Sequence, residues 1–253
     1  RVRGVLCVEK CEDLVAKLHG NVLLTHVLDP LLVHRLEQNG LVVLHHVSAR
    51  LFEQTTEAIR VALDEASRMA GCQINTIRLG VGGSHVVGFN SDGTVAVRGG
   101  RVTENDVNRV LEAARAIPLP GDKQILHALP QEYIIDGHDG IRTPIGMNGI
   151  RLETRVHVIT AGRTALMNAL ECCGNAGVQV ENIMFNGLVA AGSVLTHEER
   201  ELGCVLVDVG GGTTDVSVWY DNALVHTVAL DWGGDELTRQ IARGLRTPSD
   251  SAE

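Results

Sequence analysis

From Phe52 onward, the apolar positions of this chain alternate between helical and strand periods. Phe52, Ile59, Ala62, Leu63, Ala66 and Met69 recur at helical spacing, which predicts a helix ending near Gly71. Ile74–Val81 follows as a strand, stopped by Gly82-Gly83. Thr103 is placed to cap a helix with the apolar face Val107, Val110, Leu111 and Ala114, terminated by Pro118 and Pro120. Gln124–Leu129 and Gln131–Ile135 read as two strand pieces around Pro130, and residues 137–149 as a glycine-rich loop. Leu152–Thr160 reads as a strand, and Thr164–Cys173 as a helix with Leu166, Leu170 and Cys173 on one face. Val178–Ile183 begins another strand and Leu188–Leu195 a helix of small residues. Cys204–Val209 and Asp215–Tyr220 read as strands flanking a glycine turn, with Leu224–Leu230 a further strand. Such alternation predicts an α/β architecture. Before Phe52 the period is unclear; Asn21–Leu28 and Leu41–Val47 are strand-like, with turn residues at Pro30 and Asn39-Gly40.

Composition sharpens this picture. Aromatic residues make up only 3% of the 253 positions, so the core must be built from Val, Leu, Ile and Ala, which suits parallel strands covered by helices. A formal charge of −9 argues against a general nucleic-acid binder, because phosphate contacts need clustered Lys and Arg. No run of apolar residues is long enough to span a membrane, and the first residues lack a signal-peptide pattern, so a cytosolic location is the default expectation. The cysteines (Cys7, Cys11, Cys72, Cys172, Cys173 and Cys204) have no paired metal-ligand spacing and read as scattered buried thiols. A zinc site joining Cys7 and Cys11 to His19, His26, His34, His45 and His46 is set aside for its irregular spacing.

The candidate chemistry lies in Val207-Asp208-Val209-Gly210-Gly211-Gly212-Thr213-Thr214-Asp215. Glycines at 210–212 let the backbone turn tightly and remove the Cβ atoms that would block an approaching phosphate. Successive N–H groups in such a turn make an anion-binding concavity. Thr213 and Thr214 add hydroxyl donors, and Asp208 is placed to hold a magnesium-bound water. A plain hairpin turn, for which three glycines are also convenient, is the competing reading, but the full Asp-x-Gly-Gly-Gly-Thr-Thr-Asp segment between two apolar strands is more specific. Asp231-Trp232-Gly233-Gly234-Asp235-Glu236 then leads from a strand into a helix, where acids suit the positive helix end.

Both segments resemble the phosphate-binding turns of the actin, hexokinase and heat-shock chaperone superfamily. Further stretches resemble the FtsA family of bacterial cell-division proteins within it. These are Gly82-Gly83-Ser84-His85; Leu126-His127-Ala128-Leu129-Pro130-Gln131-Glu132-Tyr133; residues 140–147; Ser193-Val194-Leu195-Thr196-His197-Glu198-Glu199-Arg200-Glu201-Leu202-Gly203; and residues 246–253. The resemblance runs over about residues 50–253, with Thr143 standing where the family has Asn.

The resemblance implies an α/β fold of actin-like (ribonuclease H-like) nucleotide-binding domains with a small inserted α+β subdomain of the SHS2 type. The division it suggests is residues 1–73 for a partial first subdomain, 74–160 for the insert, 161–180 for the return to the first subdomain, and 181–253 for the start of a second. It implies ATP and Mg2+ as cofactors, held by Asp208, Gly210, Gly211, Gly212, Thr213, Thr214, Gly233, Gly234, Asp235 and Glu236, with Asp208 on the metal. It also implies FtsZ and other divisome proteins as partners, self-association into protofilaments, and a cytoplasmic position on the inner membrane face at the septum. In the family that membrane contact is made by a C-terminal helix, which is expected to lie beyond Glu253. His127 and Tyr133 are expected to be core and rim residues.

Two departures set the expectations for activity. Residues 1–51 hold no Gly-x-Asp-x-Gly-Thr first phosphate loop, so that segment is expected to be truncated, out of frame or diverged. Where the chaperone branch has a water-activating Glu, this chain has Asn186, and an amide cannot serve as a general base. Slow or absent hydrolysis is the expectation, with Asp208 and Glu199 as the remaining acids. The alternatives are an actin-like type IV pilus assembly protein, a sugar kinase or chaperone ATPase, and a protein-interaction module without nucleotide.

Overall fold

The computed structural model describes residues 52–252, together with the backbone of the strands Val22–Thr25 and Gly40–Leu44. The cysteines and histidines weighed for zinc before residue 51, and the missing first phosphate loop, lie outside the described residues.

In chain order the elements are β1 (Val22–Thr25), β2 (Gly40–Leu44), α1 (Phe52–Ala70), β3 (Thr76–Val81), β4 (Val86–Ala96), α2 (Glu104–Arg115), β5 (Lys123–Ile135) and β6 (His138–Ile141). They continue as β7 (Arg151–Gly162), α3 (Arg163–Asn175), β8 (Gln179–Phe185), α4 (Asn186–Val194), α5 (His197–Leu202), β9 (Cys204–Val209), β10 (Thr214–Tyr220), β11 (Ala223–Leu230), α6 (Gly234–Leu245) and α7 (Ser249–Ala252).

Three sheets result. The first is parallel, ordered β1-β2-β3-β8. Its α1 and α3 bury Ile59, Leu63, Ala66, Leu166, Ala169, Cys172 and Cys173 with Ile77, Leu79 and Val81 of β3. This is the aliphatic core that the composition requires. Leu170 is exposed, as is Cys72, so the buried face of α3 runs through Ala169 and Cys172 instead.

The second sheet is antiparallel, ordered β4-β7-β5-β6, and α2 packs on it through Val110 and Ala114. Thr103 caps α2 as a capping box: its hydroxyl accepts from the Asp106 amide while Asp106 accepts from the Thr103 amide. The third sheet is the antiparallel meander β11-β10-β9.

Several expectations are corrected. β4 replaces an unassigned stretch, because Gly88, Asn90, Ser91, Asp92 and Gly93 hide its strand pattern. Its two glycines are close-packing positions: a Cβ on Gly93 would stand 2.3 Å from the Val110 carbonyl oxygen. β5 is one strand rather than two. Pro130 falls where the register with β7 slips and where β6, which pairs only at Tyr133 and Ile135, does not reach, so its missing N–H breaks no regular rung. The expected loop after Gly137 holds β6, joined to β5 by a two-residue Asp136-Gly137 turn with both φ positive (49° and 89°).

Thr76–Val81 pairs with β2 and β8 of the parallel sheet, not with the second sheet, and residue 181 falls inside β8. The antiparallel sheet thus occupies residues 86–162, between two strands that neighbour each other in the parallel sheet.

Candidate phosphate-binding site

The hairpin joining β9 to β10 is closed by the Gly210 amide, which donates to the Thr213 carbonyl at 2.8 Å. Beside it lies the strand-to-helix turn after β11. The Gly234 amide donates to the Gly210 carbonyl (2.9 Å) and the Asp235 amide to the Gly211 carbonyl (2.8 Å). This contact requires glycine at 233, where a Cβ would stand 2.4 Å and 2.5 Å from the Gly211 and Gly210 carbonyl oxygens. The two glycine segments singled out in the sequence, residues 210–213 and 233–235, are therefore locked together through their backbones.

The locked turn leaves a specific set of groups unsatisfied. Neither the Gly211 nor the Gly212 amide has an acceptor among the described residues. The Thr213 hydroxyl is buried and has no hydrogen-bond partner. Buried polar groups are normally paired, so an orphan of this kind beside free amides suits an oxygen-rich ligand. Space is available: a Cβ on Gly212 would meet nothing within 4 Å.

Not every expected residue points into this space. Thr214 donates its hydroxyl to the Trp232 carbonyl at 2.7 Å and serves the turn's structure. Glu236 is drawn along its own helix, with an oxygen 3.0 Å from Arg239 Nη1 and the other accepting from Gln240. Asp235 stays close, its carboxylate oxygens 3.3 Å and 3.4 Å from where a Gly211 Cβ would stand.

Two acids face each other beneath the turn, since Asp208 on β9 is directly opposite Asp215 on β10. Asp215 is buried, and burial together with the nearby Asp208 charge pushes its carboxyl up to about 6, against an opposing hydrogen bond from the Gly83 amide at 3.2 Å. Such a pair is unfavourable alone and is relieved by a cation. Among the described residues no group of three or more His, Cys, Asp or Glu could hold a metal ion. Two carboxylates with a phosphate and waters are nonetheless the usual surroundings of Mg2+, which keeps much of its hydration.

A further close polar approach lies at Gly82, between β3 and β4. A Cβ there would lie 2.7 Å from both Asn186 Nδ2 and Asp215 Oδ2. Asn186, the first residue of α4, is 3% exposed, and both polar atoms of its side chain are without a hydrogen-bond partner. Asp215 closes the glycine motif but is not among the binding residues expected from the sequence, and neither is Gly82. The signal for Asp215 was its place at the end of the glycine motif; that for Gly82 is visible only once β3, α4 and β10 meet.

Comparison with known proteins follows the same division. Residues 83–160 match the family model described as the SHS2 domain inserted in FTSA, and residues 205–253 match that of cell division protein FtsA. Over 201 residues the chain is 45% identical to cell division protein FtsA of Pseudomonas aeruginosa, covering 79% of this chain and 48% of that protein. It is 42% identical to FtsA of Neisseria meningitidis serogroup B, covering 79% of this chain and 49% of that protein. The chain belongs to the FtsA family. It spans about half the length of the curated FtsA relatives that it matches. Among solved structures, a PilM–PilN type IV pilus biogenesis complex matches with a TM-score of 0.55 at 17% identity, over 78% of this chain and 53% of that one. That likeness is one of fold. In this FtsA-family chain, the SHS2 match covers most of the second sheet and its helix, and the other match begins one residue into β9 and takes in both glycine turns.

Proposed function

We propose that this FtsA-family chain carries one half of an ATP-Mg2+ site in a cell-division protein. The observation behind this reading is the hairpin turn, with the free Gly211 and Gly212 amides and the orphaned Thr213 hydroxyl above the Asp208–Asp215 pair. In the proposal the amides and hydroxyl hold phosphate oxygens, and Asp208, with Asp215 behind it, holds hydrated Mg2+. The metal supplies charge neutralisation of the phosphates. Gly233 and Gly234 keep the second turn close enough to brace the first.

Asn186 stands at the start of α4, where a general base is wanted, and its amide cannot take a proton. Nucleotide therefore acts as a binding switch with little turnover. By family membership, the switch serves self-association and the attachment of FtsZ and other divisome proteins to the cytoplasmic membrane face at the septum. Among the described residues no helix is long and apolar enough to cross a membrane. We further propose that residues 86–162 form the SHS2-type insert and that residues from 186 onward begin the second nucleotide subdomain.

The test is equilibrium binding of a fluorescent ATP analogue with Mg2+. Thr213→Val, which keeps shape and removes the orphaned hydroxyl, is expected to weaken binding about tenfold, a hydrogen bond to a charged group being worth about 1.5–3 kcal/mol. Equal affinity in the two proteins would remove the turn from the phosphate site.

A further inference from the structure

The second sheet meets the elements that carry the candidate site at two separate places, and polar side chains stand at both. On one side His127 of β5 accepts a hydrogen bond at Nε2 from the Phe185 amide (3.0 Å), immediately before Asn186. On the other side Gln131 of β5 donates to the Leu224 and Val225 carbonyls of β11, at 3.1 Å and 3.3 Å. His157 of β7, fully buried, bridges Asn90 of β4 (Nδ1 to Oδ1, 2.6 Å) and Thr227 of β11 (Nε2 to Oγ1, 3.0 Å). Gly88 of β4 makes this approach possible, since a Cβ there would lie 1.9 Å from Thr227 Oγ1 and 2.6 Å from His157 Nε2.

The targets of these contacts are not arbitrary. Phe185 leads into the unpartnered Asn186. On β11, Thr227 lies two residues before Ala229, which is paired with Asp215, and three before Leu230, which is paired with Thr214. Beyond Leu230 comes Trp232, whose carbonyl takes the Thr214 hydroxyl, and then the Gly233 turn locked onto Gly210 and Gly211. A short run of paired backbone thus joins the His157 contact to the glycine turns, and short hydrogen-bonded segments of this kind carry displacement with little slack.

We infer that His127, Gln131 and His157 are positioning residues through which the second sheet sets the spacing between Asn186 and the two glycine turns. The assignment concerns the chain without nucleotide, so it stands or falls apart from the proposed function.

The test is amide hydrogen exchange on the whole chain, comparing the wild type with Thr227→Val, Thr227→Ser and Gln131→Leu. Thr227→Val removes the hydroxyl that meets His157 while keeping shape; Thr227→Ser keeps the hydroxyl. Thr227→Val and Gln131→Leu are expected to raise exchange at the Gly234 and Asp235 amides about fivefold, the loss of one ordinary hydrogen bond. Exchange in α1 around Ile59 and Leu63 stays unchanged, and Thr227→Ser restores the wild-type rate. Unchanged exchange at Gly234 and Asp235 would overturn the inference. So would a uniform rise that includes α1, which marks the contacts as merely structural.

Discussion

Asp215 concentrates the electrostatics of the site. Its carboxyl is pushed up to about 6 from an ordinary value of 3.8, so between these values the folded chain holds a proton that the unfolded chain has released. Stability from this group is complete below pH 3.8 and is lost as pH rises through 6, at a cost of about 3 kcal/mol without a cation. Asp215→Asn is therefore expected to raise the melting temperature of the ligand-free chain at pH 7.5 and to have little effect at pH 4. Added Mg2+ should stabilise the wild type and not the variant. Thermal melts at both pH values, with and without Mg2+, check this; equal melting of the two proteins at pH 7.5 would contradict it. His157 carries the opposite sign, since burial, with His226 nearby, lowers it to about 4. Its contribution is present above pH 6.5 and lost as pH falls toward 4, in both proteins of the comparison. The two threonines of the motif differ in a way that local sequence does not encode. Thr213 and Thr214 look equivalent in the motif, yet only Thr213 keeps a free hydroxyl, because Thr214 begins β10 and is drawn to the Trp232 carbonyl.

At the level of elements, β4 shows how packing overrides local preference. Its run of Gly88, Asn90, Ser91, Asp92 and Gly93 disfavours a strand, but the eleven-residue β4 pairs with β7 along its whole length. Gly93 is where α2 crosses closest: a Cβ would lie 2.7 Å from the Ala114 amide nitrogen and 3.0 Å from its side chain. Gly93→Ala is expected to destabilise the chain by about 1–3 kcal/mol in urea unfolding, the usual cost of overpacking. No loss of stability would mean that α2 is free to move off the sheet. Other elements carried readable local signals. Cys204–Val209 was visible from its apolar run and the glycines after it, and α2 from Thr103 and its helical face. The short α5 also had a signal, the Thr196-x-x-Glu199 capping box, which is present in the structure. Its six residues were too few to show a period.

For the whole molecule, one face of the third sheet stands uncovered. Val205 and Val207 of β9 and Val228 and Leu230 of β11 are between 42% and 59% exposed, and Val216 and Val218 of β10 lie between them in register. The opposite face carries Asp208, Asp215 and Ser217 together with the core residues Trp219, Leu206 and Leu224 toward the rest of the chain, so the glycine turns sit at the rim of a sheet whose buried face is apolar at one end and acidic near the turn. The α/β class and the turn motif were legible because each is written locally. The interleaving of residues 86–162 between neighbouring strands of the parallel sheet was not, because strand order depends on contacts between distant segments.

Isothermal titration of the chain with ATP, with and without Mg2+, tests the proposed phosphate and Mg2+ site on the Gly210–Thr213 turn. A saturable heat is expected with Mg2+, weakened by chelation and abolished in Asp208→Ala while the variant stays folded. Binding of the same strength in Asp208→Ala, or no heat from the folded wild type, would contradict it.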